Sequence, residues 1–60
     1  MTPASLIAWR ERLGLNKSEA ARRLGLSRNG YNAYETGARR IPLYIALACA
    51  ALAYGLPPIP

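Results

Sequence analysis

Charged side chains are the groups in this 60-residue sequence that could do chemistry, and most of them are cationic. Eight lysines and arginines stand against three glutamates, which gives a formal net charge of +5, and all of them lie between residues 10 and 40. A basic segment beside an uncharged one predicts that one half of the chain binds a polyanion and that the other half is apolar and packs. The alternative is a basic surface that only keeps a small protein soluble.

Groups for catalysis are nearly absent from the chain. It contains no histidine or aspartate, its one cysteine is Cys49, and its three carboxylates are spread out as Glu11, Glu19 and Glu35. These residues assemble no nucleophile with a base, no acid–base pair and no metal site. We therefore expect no enzyme, no cofactor, no metal ion and no small-molecule ligand. A single cysteine also forms no intrachain disulfide.

Capping residues predict two short helices at the start of the chain. Thr2-Pro3 is typical of a helix N-terminus, and Gly14 is placed to end that helix in a left-handed conformation. Asn16 is the next capping residue, and Glu19 stands three positions later, which is the spacing of a capping box. The second helix is expected to run to about Leu24.

A third helix follows after a turn of about three residues that contains Gly25. Ser27 is placed to cap this helix, which the pattern continues to Glu35. Helical spacing puts Tyr31 and Tyr34 toward the core. The same spacing leaves an outward polar face formed by Arg28, Asn29, Asn32 and Ala33. Such a face is of a kind that reads the edges of nucleic-acid bases.

The uncharged C-terminal part predicts a fourth helix of about residues 42–54, with Pro42 as its first residue and Gly55 at its end. Nearly every face of this helix is apolar, which exceeds what a tiny core can bury and implies a second buried surface. The run is shorter than the about 20 residues that a membrane span needs. Met1 to Leu13 has no features of a signal peptide, so we expect a cytoplasmic protein.

The spacing from Lys17 to Tyr34 resembles the helix-turn-helix of the phage repressor and Cro family, of XRE type. Ala21 matches the small residue where the two helices cross, and Gly25 matches the left-handed residue of the turn. Four apolar positions of the family are also matched, by Leu24, Leu26, Tyr31 and Tyr34. The resemblance implies one all-α, lambda-repressor-like domain over residues 1–60, with four or five helices and a helix-turn-helix unit at about residues 17–36.

That resemblance assigns roles to residues of this chain. The third helix is expected in the major groove of double-stranded DNA. The base-reading positions hold Arg28, Asn29, Asn32 and Ala33. Arginine is suited to guanine, asparagine to adenine, and the methyl group of alanine to a thymine methyl group. Those expected on phosphate are Asn16, Lys17, Arg39 and Arg40. Arg10 and Glu35 match positions that form a structural ion pair between helices in some members. For Arg22 and Arg23 we favour a solvated surface.

Three positions depart from the family pattern. Gly30 lies inside the third helix, where glycine costs about 1 kcal/mol relative to alanine. It either permits close approach to the DNA backbone or is a tolerated weak point. Tyr31 replaces a branched aliphatic residue, and Lys17 stands where many relatives carry glutamine.

The function predicted from these patterns is a sequence-specific DNA-binding regulator of transcription, of a kind found in phages and mobile elements. We expect a repressor that occupies a near-palindromic operator as a homodimer. One alternative is an antitoxin-like protein-interaction module. Another is a basic membrane-active peptide, suggested by the positive charge together with 52% hydrophobic residues.

Overall fold

Four α-helices and no strand are present in the computed structural model, which describes every residue from Met1 to Pro60. The helices are α1 (Pro3–Arg12), α2 (Lys17–Leu24), α3 (Arg28–Thr36) and α4 (Leu43–Ala53). The chain is therefore all-α, as its sequence predicts, and residues 56–60 have no regular structure. No helix combines the length and the apolar character needed to cross a bilayer.

The first two helices begin at the predicted capping residues. Thr2 Oγ1 accepts a hydrogen bond from the backbone N–H of Ser5 at 3.1 Å. Asn16 Oδ1 accepts from the N–H of Glu19 at 2.8 Å, and Glu19 Oε1 accepts in return from the N–H of Asn16 at 2.9 Å. This reciprocal pair is the predicted capping box, and it satisfies two backbone donors that a helix start leaves free.

Gly30 lies beside the cap of α3. Ser27 Oγ accepts from the N–H of Gly30 at 3.1 Å. A Cβ added at Gly30 would lie 3.1 Å from the same oxygen, which is closer than ordinary van der Waals contact. A Cβ at this position would therefore require the Ser27 hydroxyl to shift by a few tenths of an ångström.

The start of α4 corrects one prediction. Pro42 is not the first residue of the helix but the residue before it, with an extended backbone at ψ 160°. Its carbonyl oxygen accepts from the N–H groups of Ile45 and Ala46. The proline ring suits both positions, because it restricts only φ, and the extended ψ of Pro42 begins the helix one residue later.

The core lies where α1, α2, α3 and α4 meet. Its buried members are Leu6, Trp9, Ala20, Ala21, Tyr31, Tyr34, Ile45 and Cys49. Trp9 Nε1 donates to the carbonyl oxygen of Cys49 at 2.9 Å, which joins α1 to α4 and satisfies the buried indole donor. The small alanines of α2 allow close packing of the helices that follow, and α3 is held with one face against α1 and α2.

Candidate nucleic-acid interface

The turn between α2 and α3 sets the angle at which α3 is presented. Gly25 lies at φ +72°, a left-handed conformation in which an L side chain is strained. The N–H of Leu26 donates to the carbonyl oxygen of Ala21 at 2.8 Å, so the chain leaves α2 through a hydrogen-bonded cap. Ala21 itself is 2% exposed. The two helices and their turn thus form one hydrogen-bonded unit.

The outer face of α3 carries the residues expected to read bases. Arg28 and Asn29 are exposed at the N-terminal end of the helix, and Asn32 and Ala33 are half-buried one turn later. Both tyrosines of α3 are buried on the opposite side. Neither of the two ion pairs in the chain involves Arg28. Its guanidinium is therefore available to a ligand.

The basic loop after α3 is folded back on that helix. The N–H of Arg39 donates to the carbonyl oxygen of Ala33 at 3.1 Å. Arg39 and Arg40 are both exposed. The backbone of this loop, which carries two exposed cations, is therefore tied to the C-terminal part of α3.

The start of α2 is less open than the sequence suggests. Asn16 is exposed, but its side-chain oxygen and its backbone N–H are both used by the capping box with Glu19. A carboxylate therefore lies at a helix N-terminus that was expected to contact phosphate. What Asn16 retains for an anion is the NH₂ group of its side chain.

Lys17 and Asn32, expected on phosphate and on bases respectively, are in direct contact. Lys17 Nζ donates to Asn32 Oδ1 at 2.9 Å and lies 4.0 Å from Glu35 Oε1. The Lys17 side chain is still 39% exposed. It therefore bridges α2 and α3 while keeping donors for a further partner.

A buried carboxylate lies behind the interface. Glu35 Oε2 accepts from Arg10 Nε at 2.7 Å and from the hydroxyl of Tyr31, and Glu35 Oε1 lies 3.4 Å from Arg10 Nη2. The Glu35 side chain is 3% exposed and that of Arg10 is 17% exposed. Arg10 Nη1 also donates to the carbonyl oxygen of Leu15 at 3.2 Å. The forked contact neutralises the only carboxylate of α3, which would otherwise repel a polyanion.

These contacts shift the pKa values of Glu35, Arg10 and Tyr31. Burial alone would raise the pKa of the Glu35 carboxyl, but the hydrogen bonds from Arg10 and Tyr31 and the charges of Arg10 and Lys17 outweigh it, so the pKa is lowered. The hydrogen bond to Glu35 raises the pKa of Arg10. Burial, aided by Glu35, raises the pKa of Tyr31. Glu35 is therefore ionised and Tyr31 neutral at neutral pH.

The lowered pKa of Glu35 predicts an acid-sensitive fold. Its contribution to stability is complete above the unfolded value of 4.5 and is lost as the pH falls through the lower folded value. We expect the free energy of unfolding, measured by urea titration at a series of pH values, to decrease progressively below pH 4.5. Glu11→Gln, at an exposed site, should keep this decrease. An unchanged stability down to about pH 3 would contradict the assignment.

Two contacts were not predicted from the sequence. One is the Tyr31 hydroxyl on Glu35, although the four-residue spacing of these positions on one helix signals that they are neighbours. The other is the Lys17 contact with Asn32, for which the sequence carries no local signal because the partners lie on different helices. Arg22 and Arg23 are exposed on α2, outside the cluster around Glu35.

Comparison with known proteins agrees with this geometry. The model of a helix-turn-helix family, HTH_3, matches residues 6–58, which include all four helices but the first residues of α1. No curated protein and no solved structure matches the chain. The matched range contains the two-helix unit, the basic loop and the apolar helix. The chain belongs to the XRE-type, Cro-like helix-turn-helix family of DNA-binding transcription regulators.

Proposed function

We propose that this chain is a cytoplasmic transcriptional repressor that occupies a near-palindromic operator as a homodimer. The observation that carries the proposal is the exposed polar face of α3, with Arg28 and Asn29 at its N-terminal end, in a chain of a DNA-binding family. A helix-turn-helix places the N-terminal residues of its second helix against base edges in the major groove. An unpaired arginine and an exposed asparagine at those positions are suited to that task.

The types of these side chains indicate which base edges they would contact. Arginine bonds the two acceptors of guanine, and asparagine can bond adenine through both of its amide atoms. The methyl group of Ala33 suits a thymine methyl group. Arg28 is therefore assigned to guanine and Asn29 to adenine.

Selection of DNA from a random pool tests the proposal. We expect the protein to enrich one sequence with two related half-sites in inverted orientation. Arg28→Ala, selected in parallel, should enrich the same spacing with a relaxed preference at one position in each half-site. A pool that stays random after repeated selection by the folded wild-type protein would reject sequence-specific binding.

Phosphate contacts predict a strong dependence of binding on salt. If Lys17, Arg39 and Arg40 contact phosphate in both subunits, about six contacts release counterions, and log K should fall with log salt at a slope of roughly −5. Fluorescence anisotropy of labelled operator at several salt concentrations measures this slope. Arg39→Ala should reduce it by about 2 for the dimer. A nearly flat response would remove all three residues from the phosphate surface.

Support for the homodimer comes from α4 and from the size of the chain. We call the exposed residues Leu43, Tyr44 and Leu47, with 75%, 66% and 61% exposure, the α4 apolar face. A twofold dimer buries the same patch of both copies. Recognition helices of such dimers lie about 34 Å apart. With a single α3 and a longest dimension of 30 Å, one chain reaches only one of two half-sites at that spacing, so a near-palindromic operator would take a second copy.

A charge on the α4 apolar face should therefore separate the subunits. We expect Leu47→Glu to shift the free protein to a monomer in sedimentation equilibrium and to weaken operator binding strongly. Ala8→Glu introduces the same charge at an exposed position of α1 and should leave the dimer intact. A wild-type protein that binds its operator as one chain per site at saturation would refute the homodimer.

A further inference from the structure

The side-chain amide of Asn32 has a defined orientation. Its Oδ1 accepts from Lys17 Nζ at 2.9 Å. An ammonium group has three donors and no acceptor, so only the oxygen of the amide, and not its NH₂ group, can face Lys17. The NH₂ group of Asn32 is then directed away from Lys17, on the face of α3 that carries Arg28.

Lys17 is itself held in place by the buried carboxylate. Its Nζ lies 4.0 Å from Glu35 Oε1, and the Glu35 side chain is 3% exposed. Glu35 in turn is bound by Arg10 and Tyr31. The ammonium of Lys17 thus sits between a fixed negative charge and the oxygen of Asn32. The orientation of the amide follows from contacts that extend into the core.

We propose that Lys17 is a positioning residue that sets the base preference of Asn32, which presents its NH₂ group to a base acceptor and prefers guanine to adenine. This inference rests on the proposed function, because it requires α3 to lie in the major groove. It changes the assignment of Asn32, but it leaves Asn29 on adenine, since the exposed Asn29 has no such partner.

The preference follows from the hydrogen-bonding groups of the two purines. Adenine offers an acceptor at N7 and a donor at N6, so a bidentate asparagine needs both its NH₂ group and its oxygen. Guanine offers two acceptors, N7 and O6. The Asn32 oxygen keeps a second lone pair, but it is directed at Lys17, so the amide meets a base edge with its NH₂ group. That group suits the two acceptors of guanine, whereas the N6 group of adenine would present it with a second donor.

Lys17 can perform this task and still contact the DNA backbone. One of its three donors is used on Asn32, and the 39% exposed side chain leaves the others for a phosphate oxygen. Loss of Lys17 should therefore lower the affinity for every sequence and also change the preference at one base pair. Only the second effect tests the inference.

The experiment compares selected sequences from the wild-type chain and five variants. Asn32→Ala identifies the base pair that Asn32 contacts, because the selected sequences should lose their base preference at that position. Lys17→Met removes the donor and keeps the aliphatic length, and Lys17→Ala is a second donor-free variant if the first is unstable. Lys17→Arg keeps a charged donor. Arg39→Ala is the matched control, because it removes a cation that is expected on phosphate but does not contact Asn32.

We expect the wild-type protein to prefer guanine at the pair read by Asn32, and Lys17→Met to raise the adenine-to-guanine ratio there about tenfold. Lys17→Arg should retain the wild-type ratio, and Arg39→Ala should weaken binding with the ratio unchanged. The inference is overturned if the donor-free variants keep the wild-type ratio, or if Asn32→Ala relaxes no position. Failure of the wild-type protein to enrich any sequence would instead reject the proposed function on which the inference rests.

Discussion

Replacement of Arg10 by methionine is expected to unfold most of the protein at room temperature. It leaves the ionised Glu35 carboxylate, 3% exposed, without its forked partner. Removal of one member of a buried ion pair costs about 3–5 kcal/mol. A core of this size rarely supplies more than about 3–5 kcal/mol in total. Urea titration followed by circular dichroism at neutral pH would measure the loss.

Two further variants separate the charge from the packing of Arg10. Arg12→Met removes an exposed arginine of the same helix that has no ion pair, and we expect it to change stability by less than about 0.5 kcal/mol. Arg10→Met combined with Glu35→Gln removes both charges and keeps an acceptor for Tyr31, so it should be more stable than Arg10→Met alone. A single variant within about 1 kcal/mol of the wild type would show that the pair is not needed for the fold.

Replacement of Arg28 by alanine is expected to abolish the base preference at the base pair that Arg28 contacts. The ratio of the affinities for operator and for random DNA should fall accordingly. One bidentate arginine contact discriminates by about 1–3 kcal/mol, so the two copies in a dimer should together lose about 2–6 kcal/mol on the operator. Because Arg28 is exposed and unpaired, the fold should be unaffected. Affinities for operator and for scrambled DNA at one salt concentration give the ratio.

Arg39→Ala is the matched control for that change. It removes the same charge from an exposed position on the loop after α3, and should weaken binding to operator and scrambled DNA by similar factors. If Arg28→Ala also weakened both by the same factor, Arg28 would be a phosphate ligand, and the bases would be read by other residues of α3.

The four helices and the starts of the first three were predictable because their signals are local. Each capping residue lies within three positions of the N–H that it binds, as Asn16 and Ser27 show. Left-handed turns need glycine, so Gly14 and Gly25 mark them in the sequence. The start at Pro42 was misplaced by one residue, because ψ of a proline is not restricted by its ring.

The candidate site was predicted as a set of residues, but not as a set of contacts. Helical spacing turns Arg28 outward and Tyr31 inward from the sequence alone. It does not show that Lys17 on α2 reaches Asn32 on α3 at 2.9 Å, because that distance depends on how the two helices pack. The sequence therefore gives no sign that a residue expected on phosphate and one expected on bases are in contact.

The sequence by itself determined a small all-α chain with a basic helix-turn-helix unit and an apolar fourth helix, since caps, turn glycines and helical period act over a few residues. Only the tertiary structure decided which charges meet. It brings Arg10, Lys17 and Tyr31 around Glu35 and leaves Arg28 unpaired, because contacts between residues far apart in the chain follow from the angles and distances between packed helices.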